Sequence, residues 1–271
     1  MSLIKSTAGK TFRLLSDRLS RFGLRILTER SPSLQVRGFS ISWSDVDPKA
    51  MSGTIYEHDH SGTRVRYFVH NVDDVIQQFH AAGKWFDEPE LDMIAKYYNG
   101  GTFIDVGANV GNHSLYAALI LKAPKVISFE PIKVSYNICL FNMLLNRLEQ
   151  VTVENFGLSD HEGFATVVQA PNRNSGATRL EAGAGGHICL RKGDDALKDE
   201  RLGFVKIDVE GGEMATLRGL TNLIKRDRPI MHVEVDNENS AAFDEFCREN
   251  EYFIAHRVDR ETNANLLVVA A

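Results

Sequence analysis

The residues best suited to chemistry stand at the ends of apolar runs. In Phe103-Ile104-Asp105-Val106-Gly107-Ala108-Asn109-Val110-Gly111-Asn112 a strand-like stretch leads through a D-x-G-x-x-x-G turn into a helix-like one. Gly107 lets the chain turn sharply and lets a ligand approach the backbone, because no Cβ intervenes. Gly111 opens the following helix, whose free N–H groups can meet a carboxylate. Asp105, at the carboxyl end of the strand, can accept hydrogen bonds from an ammonium group. A second apolar run, Val126-Ile127-Ser128-Phe129, ends in Glu130, 25 positions further on (130 minus 105). An acid at the tip of a second strand can bind the two hydroxyls of a ribose. Together these parts describe an adenosine with an amino-acid tail, laid across strand tips. A dinucleotide fits less well, since the G-x-G-x-x-G that cradles a pyrophosphate is absent. The plainest alternative is a tight turn in a domain that binds no ligand.

Two later runs carry polar residues at every second position. Lys206, Asp208 and Glu210 alternate with Val205, Ile207 and Val209, and His232, Glu234 and Asp236 alternate with Met231, Val233 and Val235. Period-two alternation puts each trio on one side of its strand, and neighbouring strands would bring the trios together. Charges inside a covered sheet are costly unless paired or used. Three uses stand open. Asp208 or Glu210 could be a general base, with Lys206 adjusting its charge. His232, Asp208 and Glu234 could bind a divalent ion that acidifies a hydroxyl. A Lys206–carboxylate network could merely order the strand tips. The working expectation is catalysis by Asp208, Glu210 and Lys206, with no metal ligand assigned.

Other chemistry-bearing residues read as ordinary. His113 follows the glycine turn and could contact a ligand, yet a helix-start histidine is more often surface or packing. Glu57, His58 and His60 form an EHDH cluster read as a solvated loop. Cys139 reads as core. Trp85 and Phe86 could wall an acceptor pocket, but packing where the main domain begins is the favoured reading.

The elements that must position these residues follow from hydrophobic periodicity. From residue 102, strand-like runs at 102–106, 125–129, 151–155, 203–209 and 229–235 alternate with helical stretches at about 112–121, 134–147, 212–225 and 239–249. Apolar strands alternating with helices imply a mostly parallel sheet covered on both faces. Runs at 252–257 and 264–270 add an antiparallel pair at the far edge. Before the domain, 34–43 and 64–70 read as strands. Asp73 is placed to cap a short helix carrying Val75, Ile76 and Phe79. A helix over 88–98 stops at Gly100-Gly101.

Composition sets the remaining bounds. With 43% hydrophobic and 25% charged residues among 271, the chain has ordinary globular composition, enough for one large core and a small addition. A net charge of -5 gives no electrostatic case for nucleic acid. No apolar run approaches the roughly 20 residues that span a bilayer. The amphipathic N-terminus argues against a signal peptide. Three scattered cysteines argue for a reducing compartment, so a cytoplasmic location is expected. Positive charge is concentrated at the start: Lys5, Lys10, Arg13, Arg18, Arg21, Arg25 and Arg30 face only Asp17 and Glu29. Residues 3–29 read as a basic amphipathic helix, with Phe12, Leu15, Leu19, Phe22 and Ile26 on one face. The favoured reading packs it on its own domain or a second subunit. Peripheral membrane contact is the alternative, and a cleaved targeting segment a third.

With these residues in view, the sequence resembles the FkbM family of methyltransferases. The matching stretches are FIDVGANVGNHSLYAA (103–118), VISFEPIKVSYNICLFNMLLN (126–146), NFGLSDHEG (155–163) and, most distinctively, VKIDVEGGEMATLRGL (205–220). The resemblance implies S-adenosylmethionine as cofactor and O-methylation of sugars or other hydroxylated small molecules. It implies that Asp105, Gly107, Asn109 and Gly111 hold the methionine part and Glu130 the ribose, with Leu158 and Ser159 flanking the adenine. Asn174 and Gly176 match a family loop only loosely. It favours functional use of Asp208 and Glu210 without fixing their roles.

The expected architecture is therefore an α/β, Rossmann-like class I methyltransferase domain over 86–271, with a mostly parallel seven-stranded sheet. An α+β extension over 31–85 and the basic helix of 1–30 precede it. The expected function is methyl transfer from S-adenosylmethionine to a hydroxyl of a small molecule, saccharides and glycolipid precursors included. The alternatives are a cofactor-fold binding protein without catalysis and a nucleotide-cofactor oxidoreductase.

Overall fold

In the computed structural model, which describes residues 10–13, 34–36, 39–41, 52–170 and 173–271, the N-terminal part is built from short strands. These are β1 (Lys10–Arg13), β2 (Leu34–Val36), β3 (Phe39–Ile41), β4 (Thr54–His60) and β5 (Thr63–Val69). β1, β4 and β5 form one antiparallel sheet in that order, and β2 and β3 pair separately. Three expectations change here. Lys10–Arg13, inside the helix expected over 1–30, pairs antiparallel with Thr54–Glu57. An open β4 edge satisfies its backbone groups, and Thr11 and Phe12 suit a pleated strand. The rest of that expected helix lies outside the described residues. The single strand expected near 34–43 is a pair, with Val36 opposite Phe39. The EHDH segment, read as a loop, is β4: Ser61 (φ 52°) and Gly62 (φ 85°) make the left-handed two-residue turn that joins twisted strands into a hairpin.

Two helices lead into the main domain, α1 (Val75–Ala81) and α2 (Glu88–Tyr97). The cap of α1 is Asp74 rather than Asp73: its carboxylate accepts from the Gln77 N–H at 3.1 Å. The extension is docked through backbone bonds to polar side chains of the domain. Arg66 N donates to Asn146 Oδ1 at 2.9 Å, and Phe68 N to Asn142 Oδ1 at 2.7 Å.

The domain continues with β6 (Thr102–Val106), α3 (Asn112–Leu119), β7 (Lys125–Phe129), α4 (Lys133–Leu145) and β8 (Val151–Glu154). Next come β9 (Gly157–Ser159), β10 (Gly163–Gln169), β11 (Arg179–Ala182), β12 (Ile188–Lys192) and α5 (Gly193–Ala196). It closes with β13 (Leu202–Ile207), α6 (Glu213–Gly219), α7 (Thr221–Asp227), β14 (Ile230–Asp236), α8 (Ser240–Glu249), β15 (Tyr252–Asp259) and β16 (Asn263–Ala270). The main sheet has seven strands in the order β15-β16-β14-β13-β6-β7-β8. It is mixed: β14, β13, β6, β7 and β8 run parallel, while β16 is antiparallel to both β14 and β15. The sequence reading had no counterpart for the four-stranded sheet β11-β10-β12-β9. Its inner strand β10 leaves Phe164 and Val168 exposed, so it carries no clean burial pattern. The single helix expected over 212–225 is divided into α6 and α7.

Alternation along the strands assigns the two faces. Ile104, Val106, Val205, Ile207, Met231, Val233 and Val235 are buried against Leu217, Leu223, Ile224, Phe243 and Phe246 from α6, α7 and α8. Phe103, Val126 and Phe204 point the other way, into Leu91, Ile94, Leu115, Cys139 and Met143 from α2, α3 and α4. Val65, Tyr67 and Trp85 join this second core, so the extension is part of its packing.

Candidate active site

Two positions beyond Phe103 and Phe204, on the same face, the residues are polar where the strands end. Register aligns Ser128 with Asp105, Asp105 with Lys206, and Lys206 with His232, which makes one polar row across β7, β6, β13 and β14. All four are at most 2% exposed. The row is held by its own partners. Ser114, from α3, donates to Asp105 Oδ2 at 2.5 Å and shares a 2.7 Å hydrogen bond with Ser128. Lys206 Nζ donates to the Gly107 carbonyl at 2.8 Å and lies 3.4 Å from both Asp105 Oδ1 and Asp208 Oδ2. Burial opposes its charge, but the Asp208 and Asp105 carboxylates prevail and raise its pKa. Lys206 is therefore a fixed cation that ties the glycine turn to the tip of β13.

Above this row a cleft of about 380 Å³ runs across the carboxyl ends of the parallel strands. One half is walled by Gly107, Ala108, Asn109, Glu130, Pro131, Ile132, Leu158, Ser159 and Leu190. Glu130 is clamped by two backbone donors, Asn109 N to Oε2 at 2.8 Å and Ile132 N to Oε1 at 2.7 Å. Burial still raises its pKa to about 7, against the pull of those two bonds. The short helical turn Ser175–Ala177 crosses the mouth. Ser175 N donates to Asp74 Oδ2 at 2.8 Å and Ser175 Oγ to Asn109 Oδ1 at 3.1 Å, so the cap of α1 also anchors this turn.

The other half is walled by Phe86, Asp87, His113, Asp208, Glu210, Glu234, Arg260 and Asn263. Oxygens of Asp208, Glu210 and Glu234 lie within 4.8 Å of one another. Like charges this close resist joint ionisation. Burial and then Asp208 raise Glu210 to about 7; burial, Asp208 and Glu210 raise Glu234 to about 9. Arg260 is hydrogen-bonded to Glu90 and Asp87, and Arg179 to Asp236 at 2.5 Å. Glu210 itself sits at φ 51°, a left-handed conformation that side chains adopt at a cost.

Of the residues singled out from the sequence, Gly107, Asn109, Glu130, Leu158, Ser159, Lys206, Asp208 and Glu210 line this one cleft. Asp105 and Gly111 do not. Asp105 lies beneath the floor, because alternation along β6 turns it toward α3. It meets Ser114 and Lys206 there, so it does not receive an ammonium group directly. Gly111 (φ 90°) faces α4: a Cβ there would stand 2.9 Å from Cys139 Sγ and 2.7 Å from the Met143 methyl. Gly107 needs its missing Cβ for the protein itself, since that atom would lie 1.7 Å from the Asp208 carbonyl oxygen. The strand expected over 203–209 ends at Ile207, so Asp208 and Glu210 stand on the following turn rather than in a polar trio.

Other residues complete the site. His113, expected at the surface or in packing, is 8% exposed and lines the cleft. Phe86 does the same, while Trp85 packs among His60, Tyr67 and Tyr116. Asp74 was passed over for its neighbour Asp73 as the cap, and its bond to Ser175 spans 101 positions. Arg260 and Asn263 reach the site only because β15 and β16 fold back beside β14, and no local pattern marks them.

A cleft across the ends of parallel strands, with a glycine turn and a strand-tip acid, is the arrangement in which open α/β domains bind nucleotide-containing ligands. Comparison with known proteins finds similarity to methyltransferases. Residues 189–259 match the model described as Methyltransferase FkbM domain, a segment from β12 to β15 that holds Lys206, Asp208, Glu210 and Glu234. The resemblance to the FkbM family read from the sequence is thereby borne out. Methyltransferase sdnD of Sordaria araneosa is 27% identical over 163 residues, covering 47% of this chain and 63% of that protein. Hexuronic acid methyltransferase AglP of Haloferax volcanii is 27% identical over 128 residues, covering 45% of this chain and 50% of that one. The chain thus spans between half and two thirds of the length of these relatives. Among solved structures, methyltransferase FkbM from Methylobacillus flagellatus KT is similar at 18% identity and TM-score 0.47, over 71% of this chain and 52% of that one. No helix among the described residues is long and apolar enough to cross a membrane.

Proposed function

We propose that this protein transfers a methyl group from S-adenosylmethionine to a hydroxyl of a small molecule of the saccharide or glycolipid-precursor class. The observation that carries this reading is a single cleft with Glu130 and the glycine turn in one half and Asp208, Glu210 and Lys206 in the other. The first half fits the cofactor. Glu130 is available to ribose hydroxyls, Ile132, Leu158 and Leu190 offer an apolar slot for the adenine, and Asn109 Nδ2 is buried without a hydrogen-bond partner. Gly107 and Asn109 would hold the methionine part. Asp105 acts from below, through Lys206, by fixing the Gly107 carbonyl.

S-adenosylmethionine, when bound, supplies a methyl group already activated by its sulfonium. The protein must then align the acceptor oxygen, exclude water and receive a proton. Glu210, titrating near neutrality, is matched to taking the hydroxyl proton onto its carboxylate. Asp208, 3.4 Å from Lys206, stands beside it. A polar wall of carboxylates and Asn263 suits a hydroxyl-rich acceptor, and the hexuronic acid methyltransferase among the relatives supports that class.

Calorimetry with S-adenosylhomocysteine, paired with labelled-donor assays over a panel of hydroxylated acceptors, tests the reading. Binding of the homocysteine compound and label in a hydroxylated acceptor are expected. Tight binding of NAD with no response to S-adenosylhomocysteine would overturn it.

A further inference from the structure

The acidic half of the cleft is short of positive charge. Asp87, Glu90, Glu210 and Glu234 share their surroundings with Asp208 and Asp236, yet only Lys206, Arg179 and Arg260 counter them among the residues named above. Each of those cations is already engaged: Lys206 by Gly107, Asp105 and Asp208, Arg179 by Asp236, and Arg260 by Glu90 and Asp87. Three carboxylates converge within 4.8 Å, and the one cation paired with them, Lys206 at Asp208, is shared with Asp105 and Gly107.

A second observation points to a ligand there independently of those acids. His113 is 8% exposed and lines the same cleft, and its Nε2 is buried without a hydrogen-bond partner. Burial and then the Lys206 charge keep this imidazole neutral, with its pKa lowered to about 3, while Asp208 acts on it in the opposite sense. A neutral imidazole carries a lone pair, the form in which histidine serves metals. The amide carbonyl of Asn263 is also buried without a partner, while its Nδ2 donates to Glu234 Oε1 at 2.7 Å. Unmatched acceptors around converging carboxylates call for a positive centre.

We propose that Asp208, Glu210 and Glu234 form a binding site for one divalent cation of the Mg²⁺ or Mn²⁺ class, with His113 facing it across the cleft. An oxygen-rich donor set selects hard cations, and a nearby imidazole favours Mn²⁺ within that class. The cation offsets the mutual repulsion of these closely spaced carboxylates. Cation binding does not depend on the methyl-transfer reading; only its use, acidifying a hydroxyl, rests on that reading.

Mn²⁺ titration of the full chain, followed by the paramagnetic resonance signal of free Mn²⁺, tests the site without reference to activity. One Mn²⁺ per chain is expected, with Mg²⁺ competing. Glu234→Gln and Glu210→Gln should each weaken Mn²⁺ at least tenfold, and His113→Gln should weaken it by a smaller factor. Glu245→Gln, an exposed carboxylate on α8, should leave it unchanged. S-adenosylhomocysteine affinity, measured on the same samples, reports separately on the cofactor half and on folding. Wild-type protein that takes up no Mn²⁺ at about 1 mM, the weak end of protein divalent sites, overturns the proposal. So does uptake that Glu210→Gln and Glu234→Gln leave intact.

Discussion

Replacing Lys206 by methionine removes one charge from the buried row and keeps most of the side chain's volume. In the structure Nζ serves three oxygens at once: the Gly107 carbonyl at 2.8 Å and the Asp105 and Asp208 carboxylates at 3.4 Å. Asp208 is partly open to solvent, but Asp105 is 0% exposed and would keep only the Ser114 hydroxyl as a partner. Breaking a buried pair by deleting one member costs roughly 3–5 kcal/mol, because the survivor is left charged and dry. A chain of this size loses about 2–4 °C of Tm per kcal/mol, so Lys206→Met should melt roughly 6–20 °C lower. Urea unfolding followed by tryptophan fluorescence should give the same loss at an unchanged m value. The cause is tested by a double-mutant cycle. If the stranded Asp105 charge carries the loss, Asp105→Asn should be harmful in the wild type and restorative beside Lys206→Met. A single-mutant loss below about 1 kcal/mol, or two losses that simply add, would show that the row is not a charge-balanced unit.

Three further outcomes follow from other parts of the site. Gly107→Ala should abolish stable folding, since its φ is 78° and the new Cβ would lie 1.7 Å from the Asp208 carbonyl oxygen; Gly62→Ala, at φ 85° with nothing within 4 Å, should lose only about 1–2 kcal/mol, and equal thermal shifts would contradict the steric account. Glu130→Gln should weaken S-adenosylhomocysteine by roughly 10–100-fold in calorimetry, the worth of charge-assisted hydrogen bonds at about 1.5–3 kcal/mol, and unchanged affinity would remove Glu130 from the ribose site. His80 is buried and neutral, its pKa lowered from 6.5 to about 4 by burial and partly restored by its bond to Asn112. A base with a depressed folded pKa contributes stability that is complete above 6.5 and lost as pH falls toward 4, here about 3 kcal/mol at about 1.36 kcal/mol per pH unit. His80→Gln should flatten urea midpoints measured between those pH values, and an unchanged slope would refute the assignment.

The elements of the main domain were legible because each strand is an apolar run bounded by turn chemistry and each helix has its own period. The glycine turn, Glu130 and the Lys206–Glu210 block were legible for the same reason: spacing along one strand and its turn is local information. What failed was also local in origin. β4 was invisible because a half-covered strand with Glu57, His58, Asp59 and His60 has no apolar alternation to read. The sheet formed by β9 to β12 was missed because its exposed Phe164 and Val168 break the burial pattern.

Partnership across the fold could not be read from the chain. Alternation put Asp105 on one side of β6, but only the docking of α3 made that side the floor and not the cleft. Strand order set Lys206 between Asp105 and His232. Return of the chain through β15 and β16 brought Arg260 and Asn263 to the acids. Sequence alone determined the strand–turn–helix units of the main sheet and the glycine turn, Glu130 and Lys206–Glu210 block at its cleft, because turns and strand tips are specified within a few residues. Tertiary structure decided which carboxylates are sealed and which converge, because burial and electrostatic coupling depend on neighbours that the chain supplies from far away.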